Sequence, residues 1–170
     1  LLRPVHEPDV AIRPTLTRLQ TFEMSTAFPF LMRVYDACDR DEITPEQFLD
    51  VLKVLENYTV RRFLCGRQAN YLNSMFPLLW DDLDRADFSA SLRARLAARQ
   101  YPGDEEVRQG VRTRKGYSPR NNTRLALIFE TVNRRLSAGS GAYTVLDGAV
   151  TFEHIMPQSL TDAWKAELGE

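Results

Sequence analysis

The chain has 170 residues, 44% of them apolar, and a formal net charge of −1 at neutral pH. That is enough apolar material for one or two small cores, since a chain of this size buries about 70% of its unfolded surface. The charge balance excludes a wholly basic nucleic-acid coat, and no apolar run reaches the ~18 residues of a membrane span, so no membrane partner is expected; a cytoplasmic setting is expected from the cysteine usage below.

Basic charge is carried almost wholly by arginine, the lysines being Lys53, Lys115 and Lys165. Cys38 and Cys65 each sit in an apolar helical pattern with no C-x-x-C partner, which reads as two reduced thiols and not as a disulfide or zinc site. Residues 1–14, with Pro4, Pro8 and Pro14 and no steady period, read as an incoming extended linker in which His6 is solvated. A short helix follows over 15–24. Another starts at Phe28-Pro29, where proline is tolerated in a first turn, and carries Leu31, Val34, Tyr35 and Cys38 at helical spacing up to the turn Asp39-Arg40-Asp41-Glu42. Thr44-Pro45-Glu46-Gln47 is a strong helix start: threonine as cap, proline at the first position, glutamine closing a capping box. That helix should reach Cys65 and stop at Gly66. Phe48, Val51, Leu52, Leu55, Tyr58 and Thr59 trace one face, and the same period places Arg62 on it. A guanidinium there either packs its stem and reaches solvent or finds an acid; the expectation is an Arg62 at least half buried in a structural ion pair with Glu130.

Asn70 can cap a helix running to Asp82, with Leu72, Met75, Phe76, Leu79 and Trp80 as core and Pro77 as a kink or break. Residues 88–99 form a further helix that exposes Arg93, Arg95 and Arg99, followed by the turn Tyr101-Pro102-Gly103-Asp104. Asp104-Glu105-Glu106 then opens a short helix, its carboxylates suiting the positive end of the dipole. Arg108, Arg112, Arg114, Lys115 and Arg120 form the most basic window and are the candidate DNA-binding residues; a solvated loop interrupted by Gly116 and Pro119 is the competing reading. Asn122 or Thr123 caps a helix to about Leu136 whose buried face is Leu125, Ile128, Phe129, Val132 and Leu136.

Ser137-Ala138-Gly139-Ser140-Gly141 reads as a flexible connector. Beyond it the period changes to two over 143–146 and 150–155, around the turn-forming Asp147-Gly148, before a short helix over 161–168 with Trp164 and Leu168. The expected fold class is therefore mainly α: a bundle-like helical body over 15–137 and one C-terminal β-hairpin within 142–170. Pro157 ends the second strand and leaves Glu153 and His154 near its end. A carboxylate is a hard ligand suited to Mg²⁺, and a neutral imidazole can take a proton from water near neutral pH. Glu153 is thus a candidate metal ligand and His154 a candidate catalytic general base.

Phe152-Glu153-His154-Ile155-Met156-Pro157-Gln158 resembles the first-histidine motif of HNH (His-Me finger, ββα-metal) nucleases. Over about 16–170 the chain resembles the C-terminal part of GmrSD-type modification-dependent (type IV) restriction proteins. Besides that box, the resemblance rests on Leu55-Glu56-Asn57-Tyr58-Thr59-Val60-Arg61-Arg62, on Tyr101-Pro102-Gly103-Asp104-Glu105-Glu106, and on 125–133 with Glu130 near its middle. It implies a metal-dependent DNA endonuclease restricting modified or foreign DNA in bacterial defence. DNA would be the partner, Mg²⁺ or another divalent cation the cofactor, and an N-terminal nucleotidase domain would precede these residues. Glu153 stands where the family usually has Asp, a mild chemical departure. The family site also needs a downstream Asn or His that these residues lack, so the 170-residue chain alone is expected to hold no ordered metal and to leave DNA uncut. Whether the chain is itself an enzyme stays open, the alternative being a non-catalytic helical protein-interaction or adaptor module.

Overall fold

The computed structural model describes residues 3–68, 71–114, 116–118, 120–138 and 159–169. Among them every regular element is helical, and no helix is long and apolar enough to cross a membrane. The hairpin expected around Asp147-Gly148 and the cap expected from Asn70 lie outside the described residues. The chain divides into two compact units, Leu1–Tyr117 and Ser118–Glu170.

The first unit contains α1 (Ile12–Thr21), α2 (Phe28–Asp39), α3 (Pro45–Leu64), α4 (Leu72–Leu79), α5 (Phe88–Ala97) and α6 (Asp104–Thr113). Its axis is α3, which packs against α1, α2, α5 and α6. Both bonds of the capping box form: the Gln47 N–H donates to Thr44 Oγ1 at 3.2 Å and the Thr44 N–H to Gln47 Oε1 at 2.8 Å. The far end closes with Gly66 at φ +67°, where the Gly66 N–H bonds the Phe63 carbonyl and the Arg67 N–H the Arg62 carbonyl, so the end of the helix is satisfied by a Schellman pair. Phe48, Val51, Leu52, Leu55, Tyr58, Thr59 and Arg62 are all buried, as the period requires. Each fully buried apolar member contributes about 1.5–3 kcal/mol relative to exposure.

Two boundaries differ from expectation. α1 begins at Ile12, inside the segment read as a linker, because Asp9 Oδ1 accepts from the N–H groups of Ala11 at 2.7 Å and Ile12 at 3.1 Å. Pro14 falls in the first turn, where its missing N–H has no intrahelical partner to lose. The helix containing Pro77 ends at Leu79, and Trp80–Asp82 tighten into a 3₁₀ turn.

The second unit contains α7 (Asn122–Ser137) and α8 (Asp162–Leu168). In α7 the expected buried face is not buried along its length. Leu125 is buried, but Phe129, Val132 and Leu136 are 43%, 48% and 75% exposed. Period identifies an apolar face without supplying a cover for it. α8 is capped by Thr161, whose Oγ1 accepts from the Trp164 N–H at 3.4 Å, and ends at Gly169 with φ +79°.

Candidate functional site

Glu153 and His154, the residues expected to carry chemistry, lie outside the described residues, as does Lys115. Among the described residues no group of three His, Cys, Asp or Glu side chains is arranged to hold a metal ion.

Two of the segments that carry the family resemblance, 55–62 and 101–106, meet at the C-terminal half of α3. Glu56 faces α1 and forms an ion pair with Arg18, whose Nη2 reaches Glu56 Oε2 at 3.0 Å. The bond to Glu56 raises the Arg18 pKa despite partial burial. Asn57 Oδ1 accepts twice, from the Tyr101 hydroxyl at 2.6 Å and from Arg61 Nε at 2.9 Å. Arg61 also donates to the Pro102 carbonyl at 3.0 Å and to Asp104 at 2.6 Å, so one side chain ties α3 to the turn and to the start of α6. The hydrogen bond from Arg61 holds the Asp104 carboxyl below the usual carboxylate range. Arg67 makes a parallel tie to Glu106, with Nε at 2.9 Å. Gly110 completes the junction: a Cβ built there would sit 2.6 Å from the Leu64 carbonyl oxygen, so the α6 backbone packs directly on the end of α3.

Arg62 lies beneath these bonds at 4% exposure, and its surroundings are not the ones expected. Glu130 bonds Arg134 one turn along its own helix at 2.5 Å. Arg62 instead donates to the Tyr71 hydroxyl at 3.1 Å, to the Gln100 carbonyl at 3.4 Å and to the Gln68 carbonyl, with the guanidinium 5.3 Å from the Tyr58 ring centroid and 5.0 Å from that of Tyr71. Backbone carbonyls and two aromatic faces replace the carboxylate, which suits a weakly hydrated planar cation with five donors. Tyr58 and Tyr71 both donate toward the Arg99 carbonyl, at 3.1 and 2.6 Å. Burial, reinforced by the Tyr71 hydroxyl, pushes the Tyr58 pKa well up, so the phenol stays protonated and available to donate. Gln100, held between these contacts, has φ +59°, a left-handed conformation that the surrounding bonds must sustain.

The basic window divides between the two units. Arg108 bonds Glu105 at 3.0 Å, Arg114 lies 4.9 Å over the Phe63 ring, and Arg112 is exposed in the last turn of α6; Arg120 belongs to the second unit. A different basic site, scattered in sequence, assembles beside Tyr101. Lys53, Asn57 and Val54 of α3 face Arg93 and Ala97 of α5 across a groove of about 490 Å³ that Tyr101 borders. Burial raises the Tyr101 pKa, while the charges of Arg61 and Arg93 oppose that rise. Lys53 and Arg93 are forty positions apart, so no local cluster announces the groove; the arginine pattern of α5 was its one trace in the sequence. Neither thiol enters it: Cys38 and Cys65 are free and part-buried, and burial raises both pKa values, which opposes thiolate chemistry.

No family model, curated protein or solved structure matches the chain.

Proposed function

We propose that this chain is part of a metal-dependent DNA endonuclease of the HNH type that restricts modified or foreign DNA, its helical units serving as the body that carries the nuclease box. The observation that carries the reading is the string Phe152 to Gln158, in which a carboxylate and an imidazole stand side by side shortly before Pro157. Support comes from the way segments 55–62 and 101–106 interlock through Asn57, Arg61 and Asp104: two sequence features of the same resemblance are one structural unit. In this reading the box lies in a β-hairpin over 143–155, the start of a ββα-metal unit.

His154 takes the proton of the attacking water, and Glu153 offers a hard oxygen to a divalent cation. A bound Mg²⁺ or similar ion would offset charge developing on the scissile phosphate. Arg108, Arg112, Arg114, Lys115 and Arg120 are the proposed phosphate contacts, with Arg112 the most readily recruited. In the full protein, plasmid nicking in Mg²⁺ or Mn²⁺ is expected to disappear in His154→Ala and to fall in Glu153→Ala, with far-ultraviolet circular dichroism unchanged. Nicking that survives His154→Ala at the wild-type rate overturns the reading.

One observation favours a second reading, a non-catalytic helical interaction module. Phe129, Val132 and Leu136 present an apolar stripe on α7 that is exposed among the described residues. Nicking absent from the full protein under every divalent ion would leave this reading standing.

A further inference from the structure

We infer that the groove between α3 and α5 is a phosphate-binding site for nucleotides, separate from the nuclease box and independent of the endonuclease reading. Its polar lining is a set of donors. Arg93 has no carboxylate within salt-bridge distance among the described residues. Among the described residues Lys53 is held only by Asp50 at 3.2 Å, an i,i+3 pair in which both side chains are more than half exposed, so it is easily drawn to a better partner.

Asn57 is the informative member. Its Oδ1 already accepts from Tyr101 and Arg61, which fixes the orientation of the amide and leaves both Nδ2 protons to donate. Among the described residues no carboxylate lines the groove itself, Asp50 meeting Lys53 outside the lining; Val54, Ala97 and the Tyr101 ring supply an apolar wall. Two cations and an oriented amide suit a group with several acceptor oxygens, and the apolar wall suits the sugar or base attached to it. The volume of this open groove falls in the range of small-ligand clefts. The same phosphate could arrive as a free mononucleotide or within a nucleic-acid strand, and the two sources separate by experiment.

The test titrates the ¹⁵N-labelled chain with AMP, followed by the Asn57 side-chain amide and Arg93 Nε resonances, and in parallel titrates a fluorescein-labelled 16-base-pair duplex by anisotropy. Arg93→Gln and Lys53→Gln are each expected to weaken binding by about tenfold, the loss of one charge-assisted bond. Asn57→Asp keeps both acceptor bonds to Tyr101 and Arg61 but turns the donor into a negative acceptor, so it should abolish binding while leaving the spectrum of the fold intact. Arg40→Gln, remote from the groove, should change nothing. Saturable AMP binding with these losses identifies a free-nucleotide site; duplex binding with the same losses and no AMP response identifies a strand-phosphate site. Absence of binding to both probes, or binding unchanged in the Arg93→Gln/Lys53→Gln double variant or in Asn57→Asp, overturns the inference.

Discussion

α3 and α7 show the same amphipathic sequence pattern and have different fates. Along α3 every position of the apolar face from Phe48 to Arg62 is buried, whereas along α7 burial is complete only at Leu125 and the face is open by Leu136. The difference does not lie in the helices, since both have good period and sound length. It lies in what surrounds them: four helices pack on α3, and its Glu56, Asn57, Arg61 and Arg62 each bond a partner outside the helix. An apolar stripe states a requirement for burial, and only tertiary context meets it.

The largest effect expected from that contrast is in a matched pair of truncations. Leu55→Ala should cost about 2–5 kcal/mol, because a fully buried leucine leaves a cavity, whereas Leu136→Ala should fall within about 0.5 kcal/mol. Urea unfolding of both variants checks this; a Leu136→Ala loss as large as that of Leu55→Ala would mean that α7 is covered after all. Next comes Gly110→Ala. In an open helix that change gains roughly 0.5–1 kcal/mol, but here the new methyl meets the Leu64 carbonyl oxygen at 2.6 Å, so the sign should reverse to a loss of about 1–3 kcal/mol. A stabilised Gly110→Ala protein would show that α6 does not rest on α3 by its backbone.

The smallest effect concerns pH. Arg61 depresses the Asp104 pKa, so the stability this carboxylate contributes is complete above its unfolded value near 4 and is lost as pH falls through the depressed folded value. Asp104→Asn should therefore be less stable than the parent at neutral pH, and the two thermal melts should converge in acid. Melts that separate further in acid would contradict the Arg61 tie.

How much of this was legible in the sequence follows the range over which each signal acts. Thr44, Gln47 and Gly66 act within one helical turn, and both ends of α3 are where those residues place them. Asp9 is equally local, but three prolines nearby masked it and the start of α1 was read too late. The burial of Arg62 was readable from period, yet its partners were not, because the carbonyls of Gln68 and Gln100 leave no mark on residue identity. Gly110 reads as a weak point in a helix, and only the approach of Leu64 gives it a purpose. The basic window drew attention because it is contiguous, but Arg108 is engaged by Glu105 and Arg114 packs over Phe63. The Lys53–Asn57–Arg93 groove is assembled by tertiary packing and has no contiguous signal. The expected catalytic pair, Glu153 and His154, stands on its sequence alone.

The Arg62 cluster also defines a loop. Through Arg62, Tyr58 and Tyr71, the end of α3 is fastened to the backbone at Arg99 and Gln100, Gln100 lying 38 positions after Arg62. Between Tyr71 and Arg99 the chain, α4 and α5 included, is an excursion that leaves and returns to one anchored point. The entropy of closing such a loop rises by only about 0.6 kcal/mol for each doubling of its length. The exposed corner Asp84-Arg85-Ala86 between the 3₁₀ turn and α5 is thus a place where this architecture can accept additional chain at little cost and without disturbing α3.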